Sequence, residues 1–255
     1  MSSRDHYKDR LLAELKAGKQ DGIALEFEGS YSPHSAAFAS DGKCFAVVHS
    51  RLEPALDADG IQKPNVQLIR CKCLTLFDTD KRSIISRIVS DELADCYAVS
   101  VVSGGQWIAT GHNGGVVRIW NCHDQKQVHK LQVSSSGYTY PRFSPDGKLL
   151  AVLVQASTAD KRRRADTPSG FEVIEVTSGV QSEVVFFETQ TFSPTKRWQF
   201  ADGVFYTWHA NRPPAALNPE RIAFSPDGTQ LLIGAGGATL VEVATGKIVR
   251  QFDVK

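Results

Sequence analysis

From Gly22 onward the chain alternates short apolar runs with clusters of Gly, Pro, Asp and Ser, a rhythm of strands and tight turns rather than helices. One phrase marks the rhythm best. Phe143-Ser144-Pro145-Asp146-Gly147-Lys148-Leu149-Leu150 returns as Phe224-Ser225-Pro226-Asp227-Gly228-Thr229-Gln230-Leu231. A Pro-Asp-Gly turn between apolar runs is a β-hairpin signal, and its recurrence makes the hairpin a structural module. The copies lie 81 residues apart, about twice the ~40–45 residue period of a four-stranded propeller blade. Residues 3–18 differ: Ser3 suits an N-cap, Tyr7, Leu11, Leu12 and Leu15 fall on one helical stripe, and Gly18 suits a stop. This predicts an N-terminal amphipathic helix and linker over 1–21, followed by one all-β domain over 22–255.

The module can be followed further. Phe38-Ala39-Ser40-Asp41-Gly42-Lys43 is a close copy, Val102-Ser103-Gly104-Gly105-Gln106 a looser one, and Phe192-Ser193-Pro194-Thr195-Lys196 one without its Asp-Gly. Each is followed by a second strand, a loop and a third strand ending in a characteristic pair. Those pairs are Phe77-Asp78, Trp120-Asn121, Ile174-Glu175, Trp208-His209 and Val241-Glu242. Fourth strands are expected over 83–89, 127–132, 183–187 and 247–252. The reading is a β-propeller of about five four-stranded blades, the fourth degenerate: Pro213-Pro214 would cripple its outer strand, since proline cannot donate into a ladder.

The stretch Trp107-Ile108-Ala109-Thr110-Gly111-His112-Asn113-Gly114-Gly115-Val116-Val117-Arg118-Ile119-Trp120-Asn121 resembles a second strand, turn and third strand of the WD-repeat family, with Trp120-Asn121 at the Trp-Asp position. The resemblance covers roughly residues 30–253. It implies a propeller used as a scaffold for protein–protein interaction. There are departures: only Phe77-Asp78 keeps the aspartate of the pair, and Gly114 stands where the family commonly has a turn aspartate. They imply that the family's Asp-His-Ser/Thr-Trp hydrogen-bond network is absent and that the blades rely on apolar packing. Five blades also leave closure open between a five-bladed ring, which an extra strand at Ile23 to Glu28 could latch, assembly with a second chain, and descent from a longer parent.

Composition narrows the picture modestly. A net charge of +1 gives no general reason to expect nucleic acid or a membrane as partner. The first ten residues are mostly polar, no apolar run is long enough for a membrane span, and the 5 cysteines show no disulfide framework. These point to a cytoplasmic protein, with a nuclear location open. No histidine pairs with another His or a Cys at metal-ligand spacing, there is no Gly-x-Ser-x-Gly elbow, and Gly234-Ala235-Gly236-Gly237 lies between strands where a phosphate loop would open a helix. Cys71 and Cys73 share a strand face and read as half-buried core thiols. No cofactor, metal or catalytic site is expected.

The candidate chemistry lies in the long connections between second and third strands. Residues 50–70 and 155–170 are both such loops, of blades one and three, and would rise from one face of the disc on either side of His112. The second carries Lys161-Arg162-Arg163-Arg164, flanked by Asp160 and Asp166, and the first carries Arg51. Arg51, His112, Lys161, Arg162, Arg163 and Arg164 are therefore the candidate partner-binding residues, suited to an acidic segment of another protein. A solvated loop is the competing reading of the basic run. The alternative functions are a small-molecule or enzymatic propeller using its central channel, and a subunit that completes a larger ring with a partner chain.

Overall fold

In the computed structural model of the chain, residues 32–53, 69–166, 172–200, 205–207, 222–234 and 238–252 are described. The expected helix over 3–18, the strand at Ile23 to Glu28 and Trp208-His209 lie outside the described residues, as does most of the proposed 1–21/22–255 division.

The described residues form an all-β fold of the propeller type. Its first sheet runs in order through β1 (Ser32–Phe38), β2 (Cys44–Glu53), β3 (Ile69–Asp78) and β4 (Ser83–Val89). A single 3-10 turn at Asp91–Leu93 leads to the second sheet: β5 (Cys96–Val101), β6 (Trp107–His112), β7 (Val116–Asn121) and β8 (Lys126–Gln132). The third comprises β9 (Tyr138–Phe143), β10 (Leu149–Asp166), β11 (Glu172–Glu188) and β12 (Pro194–Phe200), with β13 (Phe205–Thr207) added to β11. The fourth is β14 (Ile222–Phe224), β15 (Gln230–Gly234), β16 (Ala238–Glu242) and β17 (Ile248–Phe252). All pairings are antiparallel meanders. Among the described residues no helix is long and apolar enough to cross a membrane.

The inner strands pack in the order β1, β5, β9, β14, so the sheets stand as successive blades about a common axis. Apolar clusters fill the gaps between them: Val48, Leu74, Leu76, Ile108 and Trp120 between blades one and two, Ala109, Ile119, Leu150, Val152 and Val185 between two and three, and Leu153, Phe186, Leu231 and Val241 between three and four. Burial of this apolar surface is the main force holding blade on blade. Hydrogen bonds add direction. Ser86 donates to the Cys122 carbonyl, Ser100 accepts from the Phe143 amide, and Lys196 donates to the Val243 carbonyl.

The four regular anchors at 38, 102, 143 and 224 open blades as expected, with the Gly of each turn at a positive φ that glycine alone adopts without strain: Gly42, Gly105, Gly147 and Gly228. The fifth does not. Phe192 is the buried end of a turn whose continuation, β12, is the outer strand of blade three. Residues 183–187, expected as that outer strand, lie instead within the third strand. The physical reason is core filling. Leu150, Ala151, Val152 and Leu153 need apolar partners, and the register supplies Phe187, Phe186, Val185 and Val184, all buried. The polar stretch Ile174 to Ser178 could not fill that role and pairs farther out along β10. The third blade's terminal pair is therefore Phe187-Glu188, and among the described residues there are four blades.

Candidate functional site

The turns between first and second strands gather at one end. Ser40 Oγ lies 2.6 Å from Ser103 Oγ, both donate toward the Pro145 carbonyl, and Asp41 Oδ2 accepts from the Gly104 amide at 3.0 Å. Blades one and three thus touch directly across blade two, with Ser40 Oγ 3.1 Å from the Pro145 oxygen. The connections between second and third strands must therefore all emerge at the opposite end.

At that opposite end the blades differ. In blade two the ladder stops at Gly111↔Val117, and a tight turn through Asn113, Gly114 and Gly115 closes it. That turn is pinned to the linker entering blade three: the Gly115 amide donates to the Gly137 carbonyl, and Val133 donates to the Gly115 carbonyl. Blades one and three reach farther. The β2–β3 ladder continues to Glu53↔Ile69, and among the described residues the outermost β1 pair is Ser32↔Ser50. The β10–β11 ladder runs to Asp166↔Glu172, while β9 ends at Tyr138↔Gln155. Two hairpin arms thus flank a short middle blade.

This alters the expected loops. Residues 155–170 are not a loop from end to end. Lys161, Arg162, Arg163 and Arg164 sit on β10 opposite Thr177, Val176, Glu175 and Ile174, within a ladder that runs to Asp166↔Glu172. Arg51 likewise belongs to β2, opposite Cys71. In blade four β15 and β16 pair out to Gly234↔Ala238, and the rest of the glycine cluster, 235–237, lies outside the described residues.

His112 is not placed to line a surface. It is buried, 4% exposed, at the end of β6. Trp120 Nε1 donates to Thr110 Oγ1 at 2.8 Å, and Thr110 Oγ1 lies 2.8 Å from His112 Nε2. An indole N–H can only donate, so Thr110 Oγ1 accepts from it, and the same hydroxyl pairs with the neutral imidazole. Burial first, and the Arg118 charge second, lower its pKa to about 4. The His112 amide donates to Thr139 Oγ1 of blade three, and Thr139 Oγ1 also lies 2.5 Å from the Val116 carbonyl. The expected loss of the Trp–Thr–His network is thus corrected for blade two: three of its four members are joined, and an aspartate is missing. His112 positions blades. The signal was readable, since Thr110 and His112 are two apart on one strand face, with Trp120 across the hairpin.

Another repeated device was also missed. The polar residue ending each third strand reaches the residue three positions on: Asp78 accepts from the Lys81 amide, Asn121 from the Asp124 amide, and Glu188 and Glu242 from the hydroxyls of Thr191 and Thr245. Each closes the turn into the outer strand, as Asx-type side chains do. The same spacing also joins Glu175 to Ser178 in the sequence, so it does not by itself single out Phe187-Glu188.

Other polar groups near the axis are engaged in packing. His34 Nε2 lies 2.7 Å from Ser50 Oγ and accepts from Lys72 Nζ at 2.7 Å. The Cys96 and Cys122 thiols are pushed up to about 12, in each case chiefly by burial. Cys73 is fully buried on β3. Among the described residues no group of three or more His, Cys, Asp or Glu side chains is placed to hold a metal ion.

Fold and arms together define a propeller-type array with an uneven face. No family model matches the chain, and no curated protein matches it in sequence. Solved structures similar in shape include the hydrazine synthase of Kuenenia stuttgartiensis, at 12% identity and a TM-score of 0.48 over 92% of this chain and 52% of that one. A chain of a mitotic checkpoint complex is similar at 15% identity, TM-score 0.49, over 89% of this chain and 55% of that one. The WD40 domain of Toxoplasma gondii coronin is similar at 8% identity, TM-score 0.48, over 88% and 59%. The chain spans little more than half the length of these structures.

Proposed function

We propose that the chain is a non-catalytic, WD-repeat-like scaffold that holds another protein at the end where the two arms rise. The observation that supports this most is the arm geometry: ladders extended to Glu53↔Ile69 and Asp166↔Glu172 on either side of a blade whose own hairpin is short. Extended hairpins on a rigid base offer a surface to another macromolecule. Lys161 to Arg164 on one arm and Arg51 on the other favour an acidic segment of that partner. The polar groups of the inner strands speak less for a channel pocket, because Ser100 and Thr139 are engaged between blades. The test is affinity capture from the native cell with the wild-type chain and with Lys161, Arg162, Arg163 and Arg164 all replaced by Glu. Loss of the acidic partners is expected; retention of every captured protein overturns the reading.

One observation favours a second reading, completion of a larger ring by another chain. Phe38, Phe45, Phe77 and Ile84 lie side by side across blade one, and Phe38 is 64% exposed and Ile84 47%. Blade four exposes Leu232, Ile248, Val249 and Phe252. Apolar faces of this kind are characteristic of buried inter-blade surfaces. A solution mass of a compact monomer at micromolar concentration overturns that assembly.

A further inference from the structure

The arm of blade three has two unlike edges. On the β11 side, Ser182 to Phe187 pair with β12 and Thr177 to Gly179 with β13. On the β10 side, β9 ends opposite Gln155, and among the described residues no strand accompanies 156–166. A bulge at Ser157/Ala159 stands where β10 leaves the blade. A strand edge of this length offers outward N–H and C=O groups at every second residue over about 35 Å. The edge also carries the densest charge of the chain, Lys161-Arg162-Arg163-Arg164. Only Arg163 stands opposite an acidic residue, Glu175; Lys161, Arg162 and Arg164 stand opposite Thr177, Val176 and Ile174.

We propose that the outer edge of β10, from Ala156 to Asp166, is a strand-addition site for an extended acidic segment of a partner protein. The proposal rests on the scaffold reading above and states how the partner is held. Main-chain pairing supplies the affinity that is independent of sequence, and acidic residues of the added strand, opposite the basic run, supply the selectivity. A strand that only needed protection from aggregation would also carry Lys and Arg at its edge. The two purposes differ in one respect: a protected edge takes no strand.

The experiment uses the full chain and a labelled peptide of about ten residues alternating glutamate and valine, read by fluorescence anisotropy. Two further peptides carry backbone N-methyl groups at alternate amides, in the two possible phases, which keeps the charge and blocks pairing. The unmodified peptide is expected to bind. Methylation in the phase that faces β10 should weaken it about tenfold or more, and the R162E/R164E variant should do the same. Equal binding of both methylated peptides overturns strand addition while leaving the acidic-partner reading standing. No binding of the unmodified peptide, or binding of a single-stranded oligodeoxythymidine in its place, overturns the proposal. The scaffold reading fails separately, when charge reversal leaves every captured partner bound.

Discussion

Blades two and three occupy the same lattice and fill it with opposite chemistry. The registers Ile108↔Trp120 and Leu150↔Phe187 align them, so Trp120, Thr110 and His112 correspond to Phe187, Val152 and Val154. All six side chains are buried. In blade two they form a hydrogen-bonded chain; in blade three they form part of an apolar cluster. A blade therefore does not need the polar chain in order to stand, since apolar packing between sheets does the same work. The polar version brings a condition of its own: every member must keep its partner, and the histidine must stay neutral.

The comparison can be broken most severely at Gly111. A Cβ there would lie 2.0 Å from the Thr139 carbonyl oxygen, whereas the matching position in blade three is Leu153, fully buried. Gly111→Val should cost more than about 4 kcal/mol or prevent folding, measured as the urea midpoint or as loss of folded protein. Leu153→Ala should cost about 2–5 kcal/mol through its cavity. If the glycine variant is the milder of the two, the close approach of blades two and three is wrong.

Acid separates the blades next. His112 has a folded pKa of about 4 against 6.5 when unfolded. The unfolded chain takes up the proton first, so stability is unaffected above about pH 6.5 and falls progressively as pH drops toward 4, by roughly 3 kcal/mol. The triple change Trp120→Phe, Thr110→Val and His112→Val installs the blade-three set in blade two. It should remove this acid sensitivity, seen as a flatter urea midpoint between pH 7 and pH 4. An unchanged slope assigns the pH dependence elsewhere.

Thr110→Val alone should cost about 1–3 kcal/mol at pH 7, because it leaves a buried indole N–H and an imidazole nitrogen unpaired. The triple variant should be milder than this single one, since removing all partners together leaves no orphan. The smallest effect is expected at the turn. Ser144 donates to Asp146 and accepts from the Leu149 amide. Ser144→Ala should cost about 1 kcal/mol and leave the difference between the blades intact.

Much of this was legible beforehand. The turn phrase opening each of the four blades, the pairs Phe77-Asp78, Trp120-Asn121 and Val241-Glu242, and the innermost strands read directly, because tight turns demand particular residues and strands demand apolar ones. In blade three the local pattern and the core disagree at one place. Ile174-Glu175 followed by Thr177-Ser178-Gly179 imitates the local pattern of Val241-Glu242 with Thr245-Gly246, and nothing local separates the two. The core does: only Val184 to Phe187 are apolar enough to lie against Leu150 to Leu153. His112 was placed by its nearness to a turn, while burial and the Thr110 contact depend on how blade three packs against it.

The sequence by itself determined the repeat, the turns, the all-β class and the presence of two long excursions at one end. Those follow from short-range rules, in which residue type and spacing suffice. Tertiary structure decided which apolar run enters each blade, that the basic run lies on a strand with an outer edge, and that the histidine between the arms is neutral and buried. Each of these depends on a competition among distant segments for one core, and only the folded arrangement shows which segment won.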